Sequence, residues 1–215
     1  QVGWLKWRAD WTDTLASDTI LAASDITNRR MGELDLPGIV AGTLTEWREF
    51  SALELRQDWQ WVAAEHWMLR FGFDIKDLDA SYRFTSVQSI ASPFVAILDN
   101  EPVTVRDFEL EPSGVQYAAY SELRWRPVDQ WTFDVGIRWD QQTYTTAQND
   151  RQYSPRVSAL YLPNETTEIR IGWGQYYQAQ EINELQVSDG VTDFAPAQQA
   201  EHTVLSLQFE LRPGV

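Results

Sequence analysis

Chemistry in this chain would have to start from very few side chains. There are two histidines, His66 and His202, and no cysteine, so disulfides and thiolate metal sites are unavailable. Each histidine follows a glutamate, the beginning of an acid–base or metal-binding pair. Neither has a serine nucleophile or a third ligand placed beside it, so neither completes a hydrolytic triad or a zinc site. His66 falls in a short turn and His202 near the far end of a strand, which separates them, and a solvated or structural imidazole accounts for both. Asp77 and Asp79 share a face at period two and could hold a divalent cation through carboxylate oxygens, although a solvated strand end is the simpler account. The segment "LDNEPVTVRDFELEPSG" gathers Asp99, Glu101, Asp107, Glu109 and Glu111 around a single base, Arg106, and reads as a surface loop without a ligand motif. Gly172, Trp173 and Gly174 lack phosphate-loop spacing, and the glycines read as relief of crowding inside a sheet. Tyr144, Tyr153, Tyr176 and Tyr177 could touch a ligand or form an aromatic girdle. No enzymatic constellation assembles, and no cofactor or metal is expected.

The elements that must carry these residues are strands. Apolar residues recur at every second position along most of the chain, and helical periodicity is weak. "WMLRFGFDIKDLD" opposes Trp67, Leu69, Phe71, Phe73 and Ile75 to Arg70, Gly72, Asp74 and Lys76. "GVQYAAYSELRWRP" opposes Tyr117, Leu123 and Trp125 to Tyr120, Glu122, Arg124 and Arg126. "WTFDVGIRWD" sets Trp131, Phe133, Val135, Ile137 and Trp139 against Asp134, Gly136, Arg138 and Asp140. In "SPRVSALYLPNETTEIRIGWGQYY", Val157, Tyr161, Ile169, Ile171 and Trp173 oppose Arg156, Ser158, Glu168, Arg170 and Gly172. "WLKWRADW", "ALELRQDWQW" and "HTVLSLQFELRPG" alternate in the same way, with Gln57 an exception on an otherwise apolar side. "TILAASDIT" is extended with ambiguous facing.

Short turns near 12–18, 63–66, 127–130 and 163–166 alternate with long polar loops near 27–48, 79–113, 143–153 and 178–200. This predicts an all-β, antiparallel up-and-down meander of about nine strands, with short and long connections at opposite ends. The formal net charge of -15 argues against a nucleic-acid partner, which would need a basic field. No apolar run approaches the length of a transmembrane helix, but a barrel strand needs only alternate apolar residues over about 9–11 positions. The 11 tryptophans, concentrated with tyrosine beside the short turns (Trp11, Trp59, Trp61, Trp67, Trp125, Trp131, Tyr161), have the placement of an interfacial girdle. One Arg or Lys on a lipid face costs about 2–4 kcal/mol near the midplane, and the apolar faces carry none.

"NRRMGELDLPG", "LRQDWQW" followed by "LRFGFDIKDLDASY", and the run from Ser154 through Asn183, Glu184 and Leu185 resemble the barrel domain of TonB-dependent outer-membrane receptors. The Ser154, Pro155, Arg156 strand start, the Tyr176, Tyr177 strand end and the Asn-Glu-Leu loop carry most of that likeness. The resemblance implies a barrel of the roughly 22-stranded type in the bacterial outer membrane, filled by a plug domain. It implies import of a scarce nutrient such as a siderophore, energised through the TonB complex. Residues 1–215 are then expected to be part of the barrel domain, with the plug and the C-terminal strands absent. The expected partners are outer-membrane lipid, the protein's own plug, the TonB complex through an N-terminal region, and a small-molecule ligand.

On this reading Trp67, Phe71, Trp125, Trp131, Ile137, Tyr161, Ile171 and Trp173 face lipid or the girdle. Arg70, Asp74, Lys76, Glu122, Arg124, Asp134, Arg138, Asp140, Arg156 and Arg170 face the lumen, toward the plug or the substrate path. Arginine at Val135 or Ile171 is expected to block membrane assembly, and arginine at Gly136 to be mostly tolerated or to alter transport. The alternative is a soluble, tryptophan-rich β-sandwich or carbohydrate-binding module whose aromatic rows grip sugar rings.

Overall fold

A computed structural model of the chain describes residues 1–98, 101–145 and 151–210. Its strands are β1 (Val2–Thr12), β2 (Leu15–Leu36), β3 (Val40–Ala64), β4 (Trp67–Ile90), β5 (Val103–Leu110), β6 (Ser113–Val128), β7 (Trp131–Gln142), β8 (Arg151–Asn164), β9 (Thr167–Gln178) and β10 (Gln198–Phe209). A short helix, α1 (Ser92–Leu98), follows β4. All pairs are antiparallel and form one sheet in the order β1-β2-β3-β4-β6-β7-β8-β9-β10, with β5 also on β4. The nine-strand path matches the expected meander.

Local chemistry closes the hairpins. Thr12 Oγ1 accepts from the backbone N–H of Thr14 (3.2 Å) and Leu15 (3.0 Å), and Asn164 Oδ1 accepts from Thr166 N–H (3.0 Å). At the other end, Pro37 and Gly38 occupy the centre of a turn closed by Ile39 N–H to Leu36 O (2.9 Å). Gly38 has φ 76, the left-handed value that a type II turn needs at its third position.

That turn corrects the sequence reading. Residues 27–48 were expected to be a long polar loop, yet β2 and β3 stay paired from Leu15↔Trp61 up to Leu36↔Val40. Residues 79–113 were likewise expected to be a loop, and instead β4 runs on to Ile90 and β5 pairs with its upper half. β5 and β6 lie end to end along β4, separated by Glu111 and Pro112, and Ala80 N–H still donates to Pro112 O (2.9 Å). Of the connections expected near 143–153 and 178–200, residues 143–145 and 179–197 lie outside the strands, while 151–153 already belong to β8 and 198–200 to β10; residues 146–150, Asp99 and Leu211 lie outside the described residues.

Register keeps the two faces separate along the strands, with shifts only beside the short turns, at Thr12↔Leu15, Ala64↔Trp67, Val128↔Trp131 and Asn164↔Thr167. One cross-strand row reads Leu15, Trp61, Leu69, Leu123, Val135, Val157, Trp173 and Thr203, with no charge among its members. The adjacent row on the opposite face reads Gln60, Arg70, Glu122, Gly136, Arg156, Gly174 and His202. Odd-numbered residues therefore share one face and even-numbered residues the other, because side chains alternate along each strand and the pairing joins like with like.

The sandwich alternative fails on this geometry. A sandwich buries its apolar face under a second sheet, but the described residues form a single sheet. Its odd face leaves Phe71, Phe73, Val135, Ile137, Ile171 and Leu205 exposed. Among the described residues the buried core lies elsewhere, on the even face at the loop end. There Leu78, Ala80, Tyr82 and Phe84 of β4 pack with Ile182, Leu185, Val187 and Phe194 from the β9–β10 loop.

Candidate functional site

All ten residues expected in the lumen lie on the even face, and all eight expected on lipid lie on the odd face. The odd face carries an aromatic ladder beside the short turns. Trp11 stacks on Trp59 (5.9 Å) and Trp59 on Phe71 (6.2 Å). Trp67 stacks on Trp125 (5.2 Å), Trp125 meets Phe133 (5.5 Å), and Trp131 contacts both Phe133 (5.5 Å) and Tyr161 (4.4 Å). Offset stacked pairs of this kind add about 0.5–1.5 kcal/mol beyond their area. Gln57, the polar exception on that face, accepts a hydrogen bond from Thr19 Oγ1 on β2 (2.6 Å), so its carbonyl is satisfied across the strand pair. Trp173 Nε1 donates to Glu201 at the loop end of the same face (2.9 Å).

On the even face the charges are paired, Arg124 with Asp134 from β6 to β7, and Arg138, Arg170 and Lys76 each with a like-facing acid two residues away on its own strand. Arg124 binds Asp134 (2.7 Å), Arg138 binds Asp140 (2.7 Å), Arg170 binds Glu168 (2.9 Å), and Lys76 sits 3.9 Å from Asp74. Glu122 joins Arg156 (2.8 Å) and Arg70 (3.8 Å), so one carboxylate links β4, β6 and β8. Arg156 reaches it by crossing β7 at Gly136, where an added Cβ would lie 3.0 Å from Arg156 Nε and 3.3 Å from its Cγ. Arginine at Gly136 was expected to be mostly tolerated or to alter transport; the close approach means that the flexible Arg156 side chain must shift to admit it, which puts the link to Glu122 at stake.

A second bridge of the same design was not foreseen. Tyr120 Oη on β6 donates to Asp58 Oδ1 on β3 (2.6 Å), passing over Gly72 of β4. A Cβ on Gly72 would collide with the Gln57 carbonyl oxygen, and would lie 2.9 Å from Tyr120 Cε1 and 3.0 Å from Asp58 Oδ1. In both bridges a glycine occupies the middle strand of the three.

Toward the loop end the apolar phase reverses. On β4 it lies on odd residues as far as Ile75 and on even residues from Leu78, while Asp77, Asp79 and Arg83 take the odd face. β3 does the same, with Leu53 and Leu55 odd, then Ala52 and Phe50 even. The reversal falls in one row, Ala23, Leu53, Asp77 and Val115, followed by Asp25, Ser51, Asp79 and Ser113. Asp77 and Asp79 are thus exposed on the odd face, and no cluster of three or more His, Cys, Asp or Glu side chains fit to hold a metal occurs among the described residues.

The even face beyond the reversal receives the β9–β10 loop. Tyr82, 1 % exposed, donates from Oη to Ile182 O (2.7 Å) and accepts from Leu185 N–H (3.1 Å). Arg48 lies over its ring (5.5 Å), gripped by the buried carboxylate of Glu46, which also binds Arg30 (3.0 Å). Tyr144 Oη donates to Gln180 O (3.1 Å), accepts from Gln116 Nε2 (2.6 Å), and its ring meets Phe194 edge-on (5.0 Å). Burial raises the Tyr82 phenol above the ordinary tyrosine value and pushes Tyr144 up to about 12, so both stay protonated donors at neutral pH. Of the other tyrosines, Tyr176 lies on the even face against His202 (5.2 Å), while Tyr153 and Tyr177 share the odd face. His66 is confined to the β3–β4 turn, its carbonyl accepting from Arg126 N–H (2.9 Å).

Sequence alone missed Asp58, Tyr120, Glu46 and Tyr82. For Tyr82 the available signal was the phase reversal inside "DIKDLDASYRF", where apolar residues move from odd to even positions with no Gly or Pro between them.

A single open antiparallel sheet, apolar with an aromatic ladder on one face and charged on the other, is the architecture of a large transmembrane barrel wall. The chain belongs to the TonB dependent receptor-like β-barrel family, whose model matches residues 3–203. Receptors of this family are outer-membrane proteins of Gram-negative bacteria, and that is where this wall resides. The solved structures that share its fold include the following two. FpvA of P. aeruginosa, bound to heterologous pyoverdines as an iron complex, is 11% identical, with a TM-score of 0.59 over 99% of this chain and 31% of that one. The FpvAI–pyocin S2 complex is also 11% identical, with a TM-score of 0.60 over 99% and 30%. The chain thus spans about a third of the length of these receptors. No curated protein sequence matches it.

Proposed function

We propose that the protein carrying this wall is an active outer-membrane transporter that imports a scarce nutrient, a siderophore-type iron chelate, using energy delivered by the TonB complex. In this reading residues 1–215 are part of the barrel domain, and a plug and further strands complete it. The reading is of a receptor and not of an enzyme. The segregation of the two faces carries it: odd residues from Trp67 to Ile75 and from Trp131 to Trp139 meet lipid, and the even-face charges meet the plug or the substrate path. The row at which the apolar phase reverses is then the outer membrane boundary. Nine residues, Trp67 to Ile75, separate that row from the short-turn girdle, close to the 9–11 that a tilted strand needs. The pyoverdine–iron ligand of the FpvA structure supports an iron chelate as the nutrient.

The test is uptake by the full-length receptor in an iron-limited Gram-negative host stripped of its own chelate receptors. Radiolabelled ferric trihydroxamate and ferric tricatecholate serve as probes. Uptake of one of them that disappears when the TonB complex is deleted is the expected result. Uptake indifferent to that deletion, or none of either chelate, would sink the reading.

A further inference from the structure

An extracellular loop over a ligand path is ordinarily pictured as a lid. We infer that here the β9–β10 loop, residues 179–197, is instead a fixed wall of the mouth, and that Tyr82 is the positioning residue that holds it. The ligand part of this inference rests on the proposed function above; the fixed position of the loop does not.

Four attachments support it. The loop inserts Ile182 and Leu185 (both 0 % exposed), Val187 and Phe194 into the even-face core, leaving no apolar side to lift away without exposing that core to water. Tyr82 then uses both capacities of its hydroxyl on the loop backbone, donating to Ile182 O and accepting from Leu185 N–H. Two further elements grip it elsewhere: Tyr144 from the β7–β8 connection bonds Gln180 O, and Arg106 from β5 donates to Ser188 O (3.2 Å). Loop carbonyls and amides that would be orphaned in a dry core are satisfied by side chains from the wall, as buried backbone requires.

The consequence concerns a recess of about 310 Å³ on the even face just below this loop. Gln178, Ala179 and Glu181 form one rim, and Gln116, Gln152 and Arg138 contribute to the floor. Tyr82 does not line this recess, so it acts on a ligand there only by fixing the rim. A rim already in place spares an arriving ligand the entropy of ordering the loop.

The experiment is hydrogen exchange on the full-length receptor without ligand, paired with chelate uptake. Amides of residues 182–187 should exchange at least ~100-fold more slowly than those of residues 191–193 in the same loop, because protection follows the free energy of local opening. Tyr82→Phe removes both hydroxyl bonds and should cut that protection roughly tenfold or more, while the β3–β4 ladder amides around Ala52 and Ala80 keep theirs. The concentration of ferric trihydroxamate or ferric tricatecholate giving half-maximal uptake should rise by a similar factor at unchanged maximal rate. A merely destabilised barrel would lower the maximal rate instead. Leu185→Ala, which empties the same core from the loop side, should reproduce the pattern. Wild-type amides at 182–187 exchanging as fast as 191–193 would make the loop a mobile lid and overturn the inference. Lost protection with unchanged half-saturation would overturn the positioning role of Tyr82. If neither chelate is taken up, the proposed function falls, and exchange alone decides whether the wall is fixed.

Discussion

Gly72 and Gly172 occupy even-face positions on central strands, and the structure assigns them opposite responses to the same methyl group. At Gly72 an alanine Cβ runs into the Gln57 carbonyl oxygen, which belongs to the sheet backbone and cannot step aside, and into the Tyr120–Asp58 bridge. Overpacking of this kind costs about 1–3 kcal/mol. Loss of a hydrogen bond to a carboxylate adds about 1.5–3 kcal/mol. Gly72→Ala should therefore destabilise the barrel by about 3–5 kcal/mol. At Gly172 the nearest atoms are Ser158 Cβ at 3.6 Å and Val157 O at 3.8 Å, ordinary van der Waals contacts. Gly172→Ala should be neutral or stabilise by up to about 1 kcal/mol, since alanine loses less backbone freedom in a strand than glycine does. The assay is reversible urea unfolding of the full-length receptor in lipid vesicles, followed by tryptophan fluorescence. Equal midpoints for the two variants would refute the account of glycine as the gap through which side chains cross a strand.

The remaining predictions test other parts of the wall. Val135→Arg should lose about 2–4 kcal/mol and fail to assemble in the outer membrane, read as loss of the heat-modifiable folded band. Gly136→Arg should instead assemble poorly only to the extent that Arg156 is pushed off Glu122, so Glu122→Gln should partly reproduce it. Thr19→Val should destabilise by about 1–3 kcal/mol by orphaning the Gln57 carbonyl, and Thr19→Val with Gln57→Leu should recover most of that loss in the same vesicle assay. Because the folded-state pKa of Tyr144 is raised to about 12, its contribution to holding the loop is complete below the ordinary tyrosine pKa near 10. That contribution fades as pH rises toward 12. Loop protection should accordingly be flat from pH 6 to 9 and fall above ~10, measured by exchange corrected for intrinsic rate.

Much of this was legible in the sequence, for a physical reason. Where one face meets lipid and the other meets polar groups, the contrast between Trp67, Phe71, Ile75 and Arg70, Asp74, Lys76 is as strong as a sequence can carry, and strands, facing and short turns follow from it. Above the reversal row that contrast fades. Asp79, Ser81 and Arg83 face water while Leu78, Tyr82 and Phe84 face a loop, and a stretch with many polar residues passed for a connection although it alternates just as regularly. The bridges were hidden for a different reason. That Tyr120 meets Asp58 across Gly72 depends on register over three strands, and Tyr82 finds Ile182 at a separation of 100 residues. Gln57 looked like an error in the pattern because its partner, Thr19, belongs to a strand whose facing was ambiguous.

The central claim is that odd residues meet lipid and even residues do not, and one accessibility scan along β7 tests it directly. Single nitroxide labels at residues 133 to 139 of the full-length receptor in lipid vesicles would be read against oxygen, which concentrates in bilayer, and a polar nickel chelate, which stays in water. The account predicts oxygen-dominated relaxation at Phe133, Val135, Ile137 and Trp139, and low oxygen access at Asp134, Gly136 and Arg138. The same environment at odd and even positions, or oxygen access at the even ones, would contradict it.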